Sequence, residues 1–393
     1  MATHDRKLGL LSPPRRLFAG LIGLSLVNSL YLTTAPLIIG RFQDELHLTS
    51  SQVGTLMAQQ SLFTALVGIA LSTQLHRISA RAFGIAACVA VVLANIWQAF
   101  AVSQAALTAS AAIVGIGCGA LLACYSAALA TAVRVDRTAA MVTVGTTLLV
   151  AGLTSPVAHL AQASGRYGLF MAQAAIFLVA GLLTLALPNR HARESVHQAL
   201  PLTAMLRSPV VLSFVGLSIG SGGVYYFTER IGVRLGLQTA TIGDFLAGAA
   251  MMGIVGGACA VWLARPGREK FWAFTGLVLF GGATTLLSVA WDQAVYMVAI
   301  GAQAFCYMFT MPFLTALAIA RDRSGGLAAA ATSWSMLIGA GAPALAGYLV
   351  RGGVYQNLAW LAVGGAVMSC VALSFVRSDQ TPPQDGSARV SPS

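Results

Sequence analysis

The chain is short of charge. Charged residues fill 9% of its 393 positions, 12 of them acidic and 23 basic, where soluble domains carry about 25%. That scarcity excludes an ordinary water-facing globular surface. Cysteine is sparse as well, and the six present, Cys88, Cys118, Cys124, Cys259, Cys306 and Cys370, all fall inside apolar runs, so neither a disulfide framework nor a metal site is implied. The chain has no Gly-x-x-x-x-Gly-Lys-Ser/Thr loop and no nucleophile set beside a base at a polar face. Nucleotide hydrolysis and covalent catalysis have no residues to carry them, so no enzyme activity and no cofactor is expected.

What remains is apolar. Hydrophobic residues make up 57% of the chain and the mean hydropathy is +0.78. A helix crosses a bilayer with about 20 apolar residues. Stretches of that kind begin near Leu17, Ser51, Ala82, Gln104, Ala139 and Tyr167, and again near Pro209, Thr241, Trp272, Ala294, Gly325 and Val354. They predict an all-α integral membrane protein of twelve transmembrane helices in two pseudo-symmetric six-helix bundles. The expected divisions are an N-terminal segment 1–16, a first half 17–188, a linker 189–208, a second half 209–377 and a disordered tail 378–393.

The halves repeat one another. Residues 46–56 read LHLTSSQVGTL and residues 235–245 read LGLQTATIGDF, 189 positions later. Asp136-Arg137 recurs as Asp322-Arg323 after 186 positions, and Pro156 as Pro343 after 187. Duplicated helical halves of this kind are a construction used by many secondary transporters.

Basic residues set the expected orientation, because Lys and Arg are retained on the cytoplasmic side. With the N-terminus inside, 18 of the 23 fall on inner segments and five, Arg41, Arg166, Arg230, Arg234 and Arg351, on the outer side. Both termini are therefore expected in the cytoplasm, in a cell's inner (plasma) membrane. The net charge of +11 is then topology together with attraction to anionic headgroups, and a nucleic-acid partner loses its support.

Two loops carry motifs. Residues 72–81 read STQLHRISAR and residues 264–270 read ARPGREK. With the duplicated six-helix halves, these resemble the signature loop of the Major Facilitator Superfamily, in which an Asp-Arg pair precedes a glycine and two further basic residues. Arg77, Arg81, Arg265 and Arg268 keep the basic positions, whereas His76 and Ala264 replace the acid. Gly115-Ile-Gly117-Cys-Gly119 is similar to the family's glycine run, with Ala111 where an arginine is usual. Residues 151–156, AGLTSP, are similar to its Gly-x-x-x-Gly-Pro antiporter pattern, with Ala and Ser for the glycines.

The resemblance implies a monomeric secondary transporter of a small-molecule substrate, working by alternating access. Its first, fourth, seventh and tenth spans would line a central cavity. On those spans the polar and aromatic candidates are Asn28, Tyr31, Tyr125, Tyr225, Tyr226, Gln303 and Tyr307, with Gln59 and Trp334 contributing from the second and eleventh. Asn28 also reads as a helix-to-helix hydrogen bond, since an unpaired amide at that depth is costly. Aromatic, amide and methionine side chains with little fixed charge suit an uncharged or amphipathic, aromatic organic solute. The glycine-proline pattern tilts the reading toward proton-driven export, with sugar or metabolite uniport or symport, and a non-transporting membrane sensor, as alternatives.

Glu229, Asp244 and His159 are the ionisable residues in or near the spans, hence candidates for the coupling proton. A structural Glu229-to-arginine pair, and a helix cap at Asp244, are the competing readings. Arg77 and Arg81 with Asp136, and Arg265 and Arg268 with Asp322, read either as two inner-gate charge clusters or as solvated loop charges. Gly220, Gly222 and Gly223 predict a hinge or an unwound segment in the seventh span. Pro156 and Pro343 predict bends in the fifth and eleventh.

Overall fold

A computed structural model describes residues 15–72, 79–187, 208–265, 267–322 and 326–376. The first half contains α1 (Arg15–Leu46), α2 (Ser50–Ser72), α3 (Ala80–Phe100), α4 (Gln104–Leu129) and α5 (Val135–Thr184). The second contains α6 (Pro209–Tyr226), α7 (Thr228–Arg234), α8 (Thr239–Leu263), α9 (Glu269–Ser288), α10 (Gln293–Arg321), α11 (Gly326–Gly339), α12 (Ala342–Leu349) and α13 (Leu358–Ser374). Among the described residues ten helices are long and apolar enough to cross a membrane.

Two departures reconcile ten with the expected twelve. At 50 residues α5 is far longer than one crossing needs. It holds the fifth and sixth spans, broken at Ser164 (φ −127°) and Gly165 (φ 61°, ψ −147°), a conformation that glycine adopts readily. The eleventh span is split into α11 and α12, with Pro343 in the first turn of α12. A proline there forfeits no hydrogen bond of α12, and the eleventh span is interrupted at residues 340–341, within a turn of Pro343. Pro156 lies inside α5, whose only non-helical residues are Ser164 and Gly165.

The seventh span is not unwound in this state. Helix α6 runs unbroken through Gly220, Gly222 and Gly223, and the chain leaves helical geometry only at Phe227 (φ −99°, ψ 8°). Packing explains Gly223 and Gly216 rather than Gly222: a Cβ on Gly223 would strike Leu361 of α13, and Gly216 and Gly365 pack backbone to backbone where the same helices cross, whereas a Cβ on Gly222 would meet only Ala342 at an ordinary 3.6 Å. Gly115 and Gly119 serve α4 likewise, lying against the Gln60 and Thr64 carbonyls of α2. Close approach of this kind is how helices associate where lipid supplies no hydrophobic drive between them.

Within the first half α1 packs on α5, α2 on α4, and α3 on both α4 and α5; within the second α6 packs on α13, α8 on α10, and α9 on both α10 and α13. Between halves, α2 crosses α11 and α12, and α5 crosses α8. The apolar core is unevenly shared. One buried cluster runs from Leu21 and Val91 of the first half into Val224, Ile242, Tyr296 and Ala346 of the second. A separate cluster, including Phe214, Ala273, Phe313 and Leu373, fills the opposite end of the second half. The halves are thus fused at the end where α1 stops and α2 begins.

Candidate functional site

The sequence repeat builds the fused end. His47 (φ 52°) and Gly236 (φ 82°), equivalent positions of the repeat, both take the left-handed conformation that ends a helix. Beyond them α2 and α8 start by different means. Thr49 and Gln52 form a local capping box: Thr49 N–H donates to Gln52 Oε1 (2.8 Å) and Gln52 N–H to Thr49 Oγ1 (3.3 Å). Gln238 supplies no side-chain cap to α8. Its place is taken from the other half by Gln162 of α5, whose Oε1 accepts the Ala240 amide and whose Nε2 donates to Gln238 Oε1, both at 2.9 Å.

Charge gathers on the same turns. Arg230 donates to Asp44 of the first half at 2.7 and 2.9 Å and to the adjacent Glu229 at 2.5 and 3.0 Å. Glu229 is fully buried, with its carboxylate against Gly40, the repeat-equivalent position, where a side chain would not fit. Arg41 reaches Thr239 of α8 at 2.6 Å and stands 3.5 Å from Asp44. Glu229 is therefore held in an ion pair in this state. Asp244 Oδ1 accepts from Ser155 Oγ across the halves at 2.5 Å and lies 3.4 Å from His159 Nε2. Asp244 does not cap α8, since its carboxylate is turned to α5.

Deeper in, Tyr225 Oη donates to the Thr33 carbonyl at 3.0 Å, and the Tyr226 and Ser61 hydroxyls meet at 3.2 Å. Both tyrosines thus close the interface in this state. Tyr31 is buried beside them. Asn28, Tyr125 and Trp334 are half-buried on α1, α4 and α11. Other candidates turn into their own halves: Gln59 Nε2 donates to the Thr108 carbonyl (3.4 Å), Gln303 Nε2 to Thr284 Oγ1 of α9 (3.4 Å), and Tyr307 packs on Phe280 at 6.0 Å between centroids.

The inner-gate clusters are not assembled among the described residues. Arg77 and the Asp136 side chain lie outside them, and Arg81 is half-buried. Arg265 and Arg268 are exposed and form no ion pair among the described residues. Asp322 Oδ2 accepts the Leu327 amide at 2.8 Å, at the start of α11. Sequence reasoning missed Asp44, Gln162, Gln60 and Gln98. Isolated amides within apolar helices were the signal for the last three.

Two pseudo-symmetric halves bonded across one end of a membrane bundle are a construction that many secondary transporters share. Residues 17–342 match the family model for the Major Facilitator Superfamily, and the chain belongs to that family. It is a multi-pass membrane protein and a secondary transporter, not an enzyme. Among solved structures it is similar to a point mutant of the nucleoside transporter NupG (13% identity, 92% of this chain and 99% of that chain, TM-score 0.69). It is similar also to a bacterial homolog of the human lysosomal transporter Spinster, in an inward-facing and unoccupied conformation (17%, 94% and 100%, TM-score 0.70). The human organic anion transporter MFSD10 is a third likeness (15%, 92% and 100%, TM-score 0.59). At these identities the likeness is one of fold. No curated protein is a significant match to the chain.

Proposed function

We propose that this transporter exports a small neutral or amphipathic organic solute in exchange for protons, with both termini in the cytoplasm and its cavity facing inward in the state described. The continuous core across the halves at the α1–α2 end, with a separate core at the other end of the second half, carries the reading of state. The inward-facing description of the Spinster homolog is in keeping with it. Charge scarcity supports a neutral or amphipathic cargo, because an ionic solute would need a counter-charge at that depth. His159 and Asp244 are the favoured proton carriers: they face one another between halves, so protonating His159 strengthens a contact that the cycle must break.

Counterflow in liposomes tests the function. A transporter exchanges labelled for unlabelled solute across the bilayer, and a sensor does not. An imposed pH gradient should drive accumulation in wild type and less in His159→Gln. Accumulation indifferent to the gradient would remove the proton from the mechanism.

A further inference from the structure

Buried amides and hydroxyls ordinarily find partners, since an unsatisfied group costs about 1–3 kcal/mol. Among the described residues of the first half, Arg41 Nε, Asn95 Oδ1, Thr146 Oγ1 and Gln173 Oε1 are single open atoms; at one further place three helices bring such groups together. Tyr31 of α1 faces Gln60 of α2 and Gln98 of α3. All three side chains are more than nine-tenths buried. Although Tyr31 Oη lies within reach of both amides, Tyr31 Oη, Gln60 Oε1, Gln98 Oε1 and Gln98 Nε2 complete no well-aligned hydrogen bond. Two acceptors, one amide donor and a hydroxyl able to do either converge from three helices.

The surroundings narrow what would satisfy them. No charged residue lies on α2 or α4, on α1 none lies between Arg16 and Arg41, and α3 carries only Arg81 at its far end. Arg166, whose Nη1 donates to the Ala101 carbonyl beyond Gln98, is paired with Glu45, so a charged ligand would find no free counter-charge on these helices. The complement is a neutral group that both donates and accepts. Access is defined too. Tyr226 lies beside Tyr31, and its bond to Ser61, the residue after Gln60, ties the second half over this point. When the halves part at this end, that bond must break.

We propose that Tyr31, Gln60 and Gln98 form a subsite that hydrogen-bonds the neutral donor–acceptor edge of the transported solute, an amide, imide or lactam, and that it opens when Tyr226 leaves Ser61. The inference rests on the transport reading above and specifies its solute class.

Nicotinamide and uridine serve as probes, one a primary amide and the other an imide. Wild-type protein should be stabilised thermally by at least one of them and should exchange it in counterflow. Gln98→Leu and the near-isosteric Tyr31→Phe should each raise the exchange KM about 2- to 10-fold, the worth of one neutral hydrogen bond, with the maximal rate within about twofold. Without probe, the melting temperature of each variant should hold or rise, because open polar valences have been removed from the interior. Unchanged KM in both variants, or melting temperatures that fall while KM stays put, would assign the three residues to packing and overturn the subsite while leaving transport intact. Failure of wild type to bind either probe would also overturn it. Failure of wild type to exchange any solute of a wide panel would strike the transport reading instead.

Discussion

Gly54 and Gly243 occupy the same place in the two halves, 189 positions apart, and each lies against a helix of the other half. A Cβ on Gly54 would strike the Pro343 carbonyl, and one on Gly243 would strike the Ala158 methyl. Pro343 and the stretch around Ala158 are themselves repeat partners, through Pro156. The closed end is therefore built from one crossing used twice.

Alanine at either glycine should open this end. Overpacking a tight contact costs about 1–3 kcal/mol, equivalent to a roughly 5- to 150-fold shift in a two-state equilibrium. Spin labels on the α1–α2 and α7–α8 turns would report it as growth of a longer distance in Gly54→Ala and Gly243→Ala. Distance distributions identical to wild type would show that the crossings tolerate a methyl and do not hold the end shut.

The two helix starts separate local stability from coupling. Thr49→Ala removes a cap within one half and should cost about 0.5–2 kcal/mol in melting, with the balance of open and closed states unaltered. Gln162→Ala removes a cap donated across the interface, so its cost falls on the closed state alone. The same labels should report a shift for Gln162→Ala and none for Thr49→Ala. A shift of equal size in both would refute the distinction.

Arg230 has two carboxylate partners, one of them fully buried. Arg230→Ala leaves Glu229 charged and unpaired in the interior, and breaking a buried pair costs about 3–5 kcal/mol. The double substitution Arg230→Ala with Glu229→Gln should recover most of that loss. Chemical denaturation of the single and double variants in detergent measures it, and equal losses in the two would mean that Glu229 is not the source of the penalty.

The membrane-spanning architecture could be read from residue order because hydrophobic runs answer directly to bilayer thickness, and the repeat exposed the two halves. That repeat also marked the closing surface, although nothing local distinguishes it from two ordinary turns. Residue order suggested an unwound stretch at glycines 220, 222 and 223, but α6 runs helical through them, with Gly223 packed on Leu361 of α13, and the chain leaves helical geometry at Phe227.

The charged and polar partners were invisible for a plainer reason. Arg230 meets Asp44 across 186 positions, Arg41 meets Thr239 across 198 and Gln162 meets Gln238 across 76. A hydrogen bond depends on distances of about 3 Å, and spacing along a helix says nothing of which foreign side chain arrives there. Composition and periodicity alone determined that this chain crosses a membrane as a doubled bundle with little charge to spare. Which end the halves share, which carboxylate is locked to arginine and which amides are left open were decided only when the helices crossed, because each is a relation between residues of different helices.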